Sequence, residues 1–166
     1  DLGPASHARV GQMLQALKLR DRIFLALRIL AEGREAGIAQ LEAARSAFGE
    51  RPLDLVQVTN MQDLATQWKT LREWKDDGRI RYLGVSVSSY SFFEPLETFM
   101  RTERPDFVQL NYSLLEPRAE ERLLPLAAEQ GIAVITNRPF INGQYFSRVQ
   151  GHPVPRWAAD FDCTSW

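Results

Sequence analysis

Five polar side chains stand at the ends of five runs rich in apolar and β-branched residues. Arg28 lies near the end of DRIFLALRIL (21–30), Thr59 in DLVQVTN (54–60) and Ser86 in IRYLGVSVSS (80–89). Asn111 lies in PDFVQLNYS (105–113) and Asn137 in GIAVITNRPF (131–140). Side chains of a strand alternate faces with period 2, so each of these residues shares a face with the members two and four places earlier. The sets are Phe24, Ala26 and Arg28; Leu55, Gln57 and Thr59; Gly84 and Ser86; Phe107, Gln109 and Asn111; Ala133, Ile135 and Asn137. If these strands lie parallel, the five polar residues form a ring at one rim, above a layer holding Gln57 and Gln109. Buried amides need hydrogen-bond partners, which can be one another, water or a ligand. A cation facing into such a mouth needs an anion or a carboxylate partner, so Arg28 points to a small polar or anionic ligand or to an internal ion pair. The competing reading is that these are strand ends emerging into solvent. Arg138 is a second basic candidate, with an exposed loop arginine as its alternative.

Other chemistry is sparse. His7 and His152 are too few and too scattered for a metal site, and none is expected. Neither common glycine-rich phosphate loop occurs, and there is no serine nucleophile elbow. The Ser86–Ser89 run reads as a strand end and helix cap. Tyr112 falls on the opposite face from the ring by parity, which favours packing over proton donation. Glu116, Glu120 and Glu121 read as solvated helix charges, and the four tryptophans as core and helix-packing residues.

The elements that must position this ring alternate between helix and strand. Val10, Met13, Leu14 and Leu17 recur at helical spacing, as do Ile38, Leu41, Ala44 and Phe48, and then Leu64, Trp68, Leu71 and Trp74. Asn60 is expected to cap the third of these helices, with Asp63 in its first turn and Gly78 as its left-handed stop. A helix near 91–102 carries Phe92, Leu96 and Phe99. Another near 117–130 starts at Pro117 and stops at Gly131, and Pro125 should disturb one of its hydrogen bonds. Repeated units of this kind, with no hairpin signal, favour right-handed βαβ crossovers and a parallel α/β sheet of five strands. Residues 1–166 read as a single domain, with 138–157 as a long loop and 158–166 as the opening of a terminal helix.

Composition narrows the class. At 166 residues the chain can bury a real core. Its net charge of −1, from 20 basic and 21 acidic residues well mixed, calls for neither nucleic acid nor an anionic membrane as partner. The single cysteine, Cys163, excludes an internal disulfide framework and fits a reducing, cytoplasmic compartment. No apolar run approaches the length of a membrane span.

Longer stretches resemble the aldo-keto reductases, in particular bacterial members. These are FLALRI, LDLVQVTN, LREWKDDGRIRYLGVS, PDFVQLNYSLLEPRAEERLLPLAAEQGIAVITNRPF and PRWAADFDCTSW. The resemblance implies units of a (β/α)₈ TIM barrel, here a partial barrel of about five strands, with an NADP(H) cofactor across the mouth and carbonyl reduction by hydride transfer. Such enzymes use a tyrosine as general acid, a lysine that lowers its pKa, an aspartate paired with the lysine and a histidine that orients the carbonyl. The lysine position falls on Arg28, the histidine position on Thr59 and the tyrosine position in the Gly3-Pro4-Ala5-Ser6 run, on Gly3. The aspartate position lies upstream of Asp1. Ser86 and Gln109 match residues that bind the nicotinamide carboxamide, the asparagine that often follows the serine is Val87, and the nicotinamide-stacking aromatic maps to Asn137, beside Arg138. The phosphate-binding segment lies beyond Trp166, and the first two strands and the last have no counterpart.

Three functional expectations follow. The first is an NADP-dependent oxidoreductase impaired or inactive in carbonyl reduction, because the tyrosine, lysine and histidine positions are substituted. The second is a non-catalytic small-ligand-binding or scaffold protein. The third is a lyase or isomerase chemistry at the same mouth, for which the sequence offers no acid/base pair. Five parallel strands also leave two sheet edges open, so a homo-oligomer or a partner that covers them is expected.

Overall fold

The computed structural model describes residues 3–165. Its five strands, β1 (Ala26–Ile29), β2 (Leu53–Thr59), β3 (Ile80–Ser86), β4 (Phe107–Asn111) and β5 (Ala133–Asn137), form one sheet in the order β1-β2-β3-β4-β5. All four pairings are parallel. The helices are α1 (His7–Ala16), α2 (Arg34–Ala47), α3 (Leu64–Asp76), α4 (Phe93–Glu103), α5 (Leu123–Gln130) and α6 (Gln144–Val149). Each strand in turn pairs with its sequence neighbour, so this is a curved run of βα units that does not close on itself.

Period-2 alternation separates the sheet's two faces. Leu27 and Ile29, Val56 and Val58, Leu83 and Val85, and Val108 and Leu110 join one core with Leu41, Leu71, Trp74, Leu96, Met100 and Leu126 from the helices. The opposite, concave face carries the polar sets. At the bottom of that face Phe24, Tyr82 and Phe107 meet with ring centroids 5.6–6.1 Å apart. Gly84 sits above them because no side chain fits there: a Cβ would lie 2.7 Å from the Phe107 carbonyl oxygen and 3.2 Å from Gln57 Cγ. Gly78 (φ 72°) and Gly131 (φ 70°) end α3 and α5 in the left-handed region, as expected.

Several local expectations are corrected. Asn60 does not cap α3; its Oδ1 accepts from the Ser88 backbone N–H (2.9 Å) and hydroxyl (3.1 Å), tying the end of β2 to the loop after β3. Asp63 holds the cap position instead, at φ 45°. Pro125 lies in the first turn of α5, where its missing N–H has no helical partner to lose. The apolar run from residue 23 yields only four residues of strand, preceded by a 3₁₀ turn at Arg20–Arg22. Met13 and Leu17 are exposed, and α1 packs through His7, Gly11 and Leu14. Within 138–157 the chain folds a 3₁₀ turn (Ile141–Gly143) and α6, and the helix near the end of the chain is 3₁₀, over Arg156–Phe161. Trp68 and Trp74 are core residues, but Trp157 is 63% exposed. Trp166 lies outside the described residues, as do Asp1 and Leu2.

Two carboxylates pin the helices. Asp63 is held below the ordinary 3.8 by hydrogen bonds from the Thr66 side chain, the Gly33 N–H and the Gln67 amide. For Glu97 burial pushes upward, but hydrogen bonds and charge from Arg101 and Arg122 outweigh it and place the carboxyl below the ordinary 4.5. A depressed native pKa contributes stability that is complete above the ordinary value and lost as pH falls through the native one. The urea midpoint should therefore be flat above about pH 5 and decline below it, and Glu97→Gln should reduce that decline. An acid limb of equal steepness in the variant would contradict the assignment.

Candidate functional site

At the carboxyl end of the strands, Arg28, Thr59, Ser86, Asn111 and Asn137 line one cavity of about 160 Å³, joined by Asn60, Ser88 and Arg138. The register staggers these residues. Thr59 is level with Ser86 and Asn111 with Asn137, whereas Arg28 is level with Gln57 and Ser86 with Gln109, each a residue of the second layer. The last inward residue of each strand nonetheless lines the one cavity.

The second layer is bound into the first. Gln109 Nε2 donates to Asn137 Oδ1 at 2.6 Å, and Asn137 Nδ2 donates to the Val87 carbonyl at 2.9 Å. Asn111 Nδ2 donates to the Ser88 carbonyl at 3.0 Å. These bonds aim the remaining acceptors, Gln109 Oε1 and Asn111 Oδ1, without giving them a protein partner. Thr59 Oγ1 and both amide atoms of Gln57 are also buried without a protein hydrogen bond, and Gln57 is fully enclosed. Leaving such groups unmatched costs about 1–3 kcal/mol each, so this face is built to meet water or a ligand rich in N–H or O–H donors.

The remaining candidates are placed clearly. A Cβ on Gly3 would lie 3.8 Å from an Arg28 terminal nitrogen, so the start of the chain reaches the cation at the end of β1. Arg138, in the left-handed region at φ 50°, extends the rim and pairs with Glu116 at 3.5 Å. Glu116 is thus a partner of the rim and not merely a solvated charge. Glu120 likewise accepts the Tyr112 hydroxyl at 2.7 Å, and that bond, with burial, raises the phenol above its ordinary value. Tyr112 packs against the helix-side core, as its parity required. The Ser86–Ser89 run is a strand end followed by a cap, Ser89 accepting from the Ser91 N–H at 3.3 Å. Among the described residues, no tyrosine, histidine or carboxylate lines the cavity, and no group of three metal-ligating side chains occurs. Sequence reasoning missed Asn60 and Ser88 as lining residues, because both lie in loops where period-2 parity no longer applies.

Parallel βα units with a polar pocket at the strands' carboxyl ends define a TIM-barrel-type α/β protein. The sequence profile of the aldo/keto reductase family matches residues 3–159, and the chain belongs to that family. Solved structures share its fold. An aldo-keto reductase from a Medee basin deep-sea metagenome library superposes with a TM-score of 0.78 at 15% identity, over 96% of this chain and 60% of that one. The aldo/keto reductase from Klebsiella pneumoniae in complex with NADP and acetate gives 0.74 at 21% identity, over 97% and 58%. The Bombyx mori aldo-keto reductase in complex with NADP gives 0.71 at 20% identity, over 96% and 59%. The chain thus spans about three fifths of the length of these relatives. No curated protein matches it by sequence. No helix among the described residues is long and apolar enough to cross a membrane.

Proposed function

We propose that this chain carries the ligand-holding mouth of an NADP(H)-linked aldo-keto reductase in which carbonyl reduction is impaired. The observation that carries the reading is the convergence of Arg28, Thr59, Ser86, Asn111 and Asn137 on one cavity free of phenol and imidazole among the described residues. The residues fit the amide end of a nicotinamide. Gln109 Oε1 and Asn111 Oδ1 are buried acceptors awaiting N–H donors, and Ser86 lies level with Gln109. They do not supply an aromatic face, since Asn137 stands where the ring would stack. Two of the similar structures are complexes with NADP, which supports the same choice here.

When bound, the nicotinamide would supply the hydride; the chain's own residues set what else can happen. Arg28 offers a rigid guanidinium fork with donors and no acceptor where a lysine would present a compact ammonium. Thr59 offers one hydroxyl in place of an imidazole. Losing a positioned general acid typically lowers the rate by about 10²–10⁴. The second reading, a non-catalytic binder of small polar or anionic ligands, draws on the same cavity and on the Asn137 exchange. Tryptophan fluorescence titrated with NADPH and NADP⁺ should show saturable binding that Gln109→Leu weakens. No response at millimolar concentration would remove the cofactor and leave the binder.

The open edges carry a further part of this proposal. β1 and β5 each have one strand neighbour, and Ala133 and Thr136 of β5 are exposed. A second copy of the chain or another partner is expected to cover them. Light scattering across a wide concentration range checks this, and a monomer throughout would count against self-association.

A further inference from the structure

The opposite end of the sheet holds a second cavity, of about 410 Å³, that the proposed function does not use. It is lined by four arginines, Arg20, Arg22, Arg51 and Arg81, against Asp21 and Asp54, leaving two positive charges in excess. In a chain of net charge −1 this is a local concentration of cations. Asp54 is buried and organises two of them. It accepts from Arg20 at 3.3 Å, from Arg81 at 3.0 Å and from the Leu25 N–H at 3.0 Å. Arg20 also donates to the Pro52 carbonyl at 3.2 Å, and the Arg81 guanidinium lies 5.4 Å from the Tyr82 ring centroid.

The other two arginines are held loosely. Among the described residues Arg51 pairs only with exposed Asp21, and the Arg22 side chain has no ion-pair or hydrogen-bond partner, its backbone N–H donating to the Leu19 carbonyl at 2.9 Å. Ile23 and Phe24, both partly exposed, supply an apolar wall; Phe24 is 48% exposed. Two guanidinium forks fixed on Asp54, one paired with exposed Asp21 and one with no side-chain partner among the described residues stand around a concave surface, which matches the planar, multidentate recognition of phosphate oxygens.

We propose that this cleft binds a soluble phosphate ester or diphosphate, its oxygens held by Arg22, Arg51 and Arg81 and its organic part lying on Ile23 and Phe24. The site lies at the amino ends of the strands, remote from the Arg28 mouth, and is independent of the reading given above.

Calorimetric titration of the full chain with inorganic pyrophosphate tests it. We expect one saturable site whose affinity falls about tenfold in Arg22→Gln and further in the Arg22→Gln/Arg51→Gln pair, with thermal stability unchanged, and falls as salt rises. Arg28→Gln should leave pyrophosphate affinity unaltered. Absence of binding at millimolar pyrophosphate would overturn the proposal. So would equal affinity in the double variant, or loss of binding in Arg28→Gln, which would move the anion to the other rim. The Arg22→Gln exchange keeps the backbone N–H that donates to the Leu19 carbonyl and breaks no side-chain ion pair among the described residues, so the single variant remains informative if the pair proves unstable.

Discussion

Combining Gly3→Tyr, Arg28→Lys and Thr59→His should raise NADPH-dependent reduction of a reactive aldehyde by about 10²–10⁴ over the unaltered chain. The geometry favours the exchange. A Cβ built at Gly3 already lies 3.8 Å from the Arg28 guanidinium, so a phenol placed there starts beside the charge that would lower its pKa. Lysine at 28 restores a compact ammonium with three donors, where arginine presents a rigid fork. Histidine at 59 would enter a position whose hydroxyl is buried and unmatched by protein. The single exchanges should each do little, because groups that act as a unit are strongly non-additive. Loss of NADPH absorbance with time is the readout, together with aldehyde-dependent product. A triple variant that binds NADPH but reacts no faster would show that more than these three positions separates the chain from an active reductase.

Gly11→Ala should destabilise the fold by about 3 kcal/mol, the upper part of the usual range for overpacking. Gly11 lies where α1 crosses α2, and a methyl there would overlap the Ala47 carbonyl oxygen and lie 2.9 Å from its carbon. The obstacle is helical backbone, which cannot turn aside as a side chain could. Relief requires α1 to lift from α2, exposing Leu14 and the His7–Phe48 ring contact at 5.5 Å. Because Gly3 immediately precedes this unit, the arrangement beside Arg28 should loosen as well. Against a total of about 5–15 kcal/mol for a small domain, such a loss is large. Urea denaturation followed by circular dichroism measures it; a midpoint unchanged within error would mean the helices do not approach as described.

The ring at the mouth was legible because two simple regularities combine. Alternation fixes which residues share a face, and parallel pairing brings the last inward residue of each strand to one rim. Arg28, Thr59, Ser86, Asn111 and Asn137 share their cavity for that reason. The hydrogen-bond wiring was not legible. That Gln109 would bind Asn137 depends on a register that composition does not reveal. The misplaced cap shows the same limit: Asn60 has the right chemistry for a helix start, but the loop after β3 comes close enough to claim it. Pro125 was misjudged because the preceding turn is 3₁₀ and the α-helix begins only at Leu123. α6 escaped notice because its short stretch lies among glycine, proline and aromatic residues that read as loop. The resemblance supplied what periodicity could not, namely that open βα units of this order belong to a reductase barrel, and the family match over residues 3–159 bears it out.

In the proposed reading, Gly3, Arg28 and Thr59 would change proton handling while the amides of Asn111 and Asn137 still line the mouth. Recognition and chemistry would then depend on different atoms: Gln109 Oε1 and Asn111 Oδ1, buried without a protein partner, for the first, and a phenol and an imidazole for the second. A protein of this kind would hold a nicotinamide or a similar small amide and transfer hydride slowly.

The proposed function requires one small molecule to engage all five strand ends at once. Amide chemical shifts of nitrogen-labelled protein, followed during addition of NADPH, address that directly. Saturating changes should cluster at Arg28, Thr59, Ser86, Asn111 and Asn137. Changes scattered over the helices, or confined to the opposite rim around Arg22 and Arg51, would contradict it.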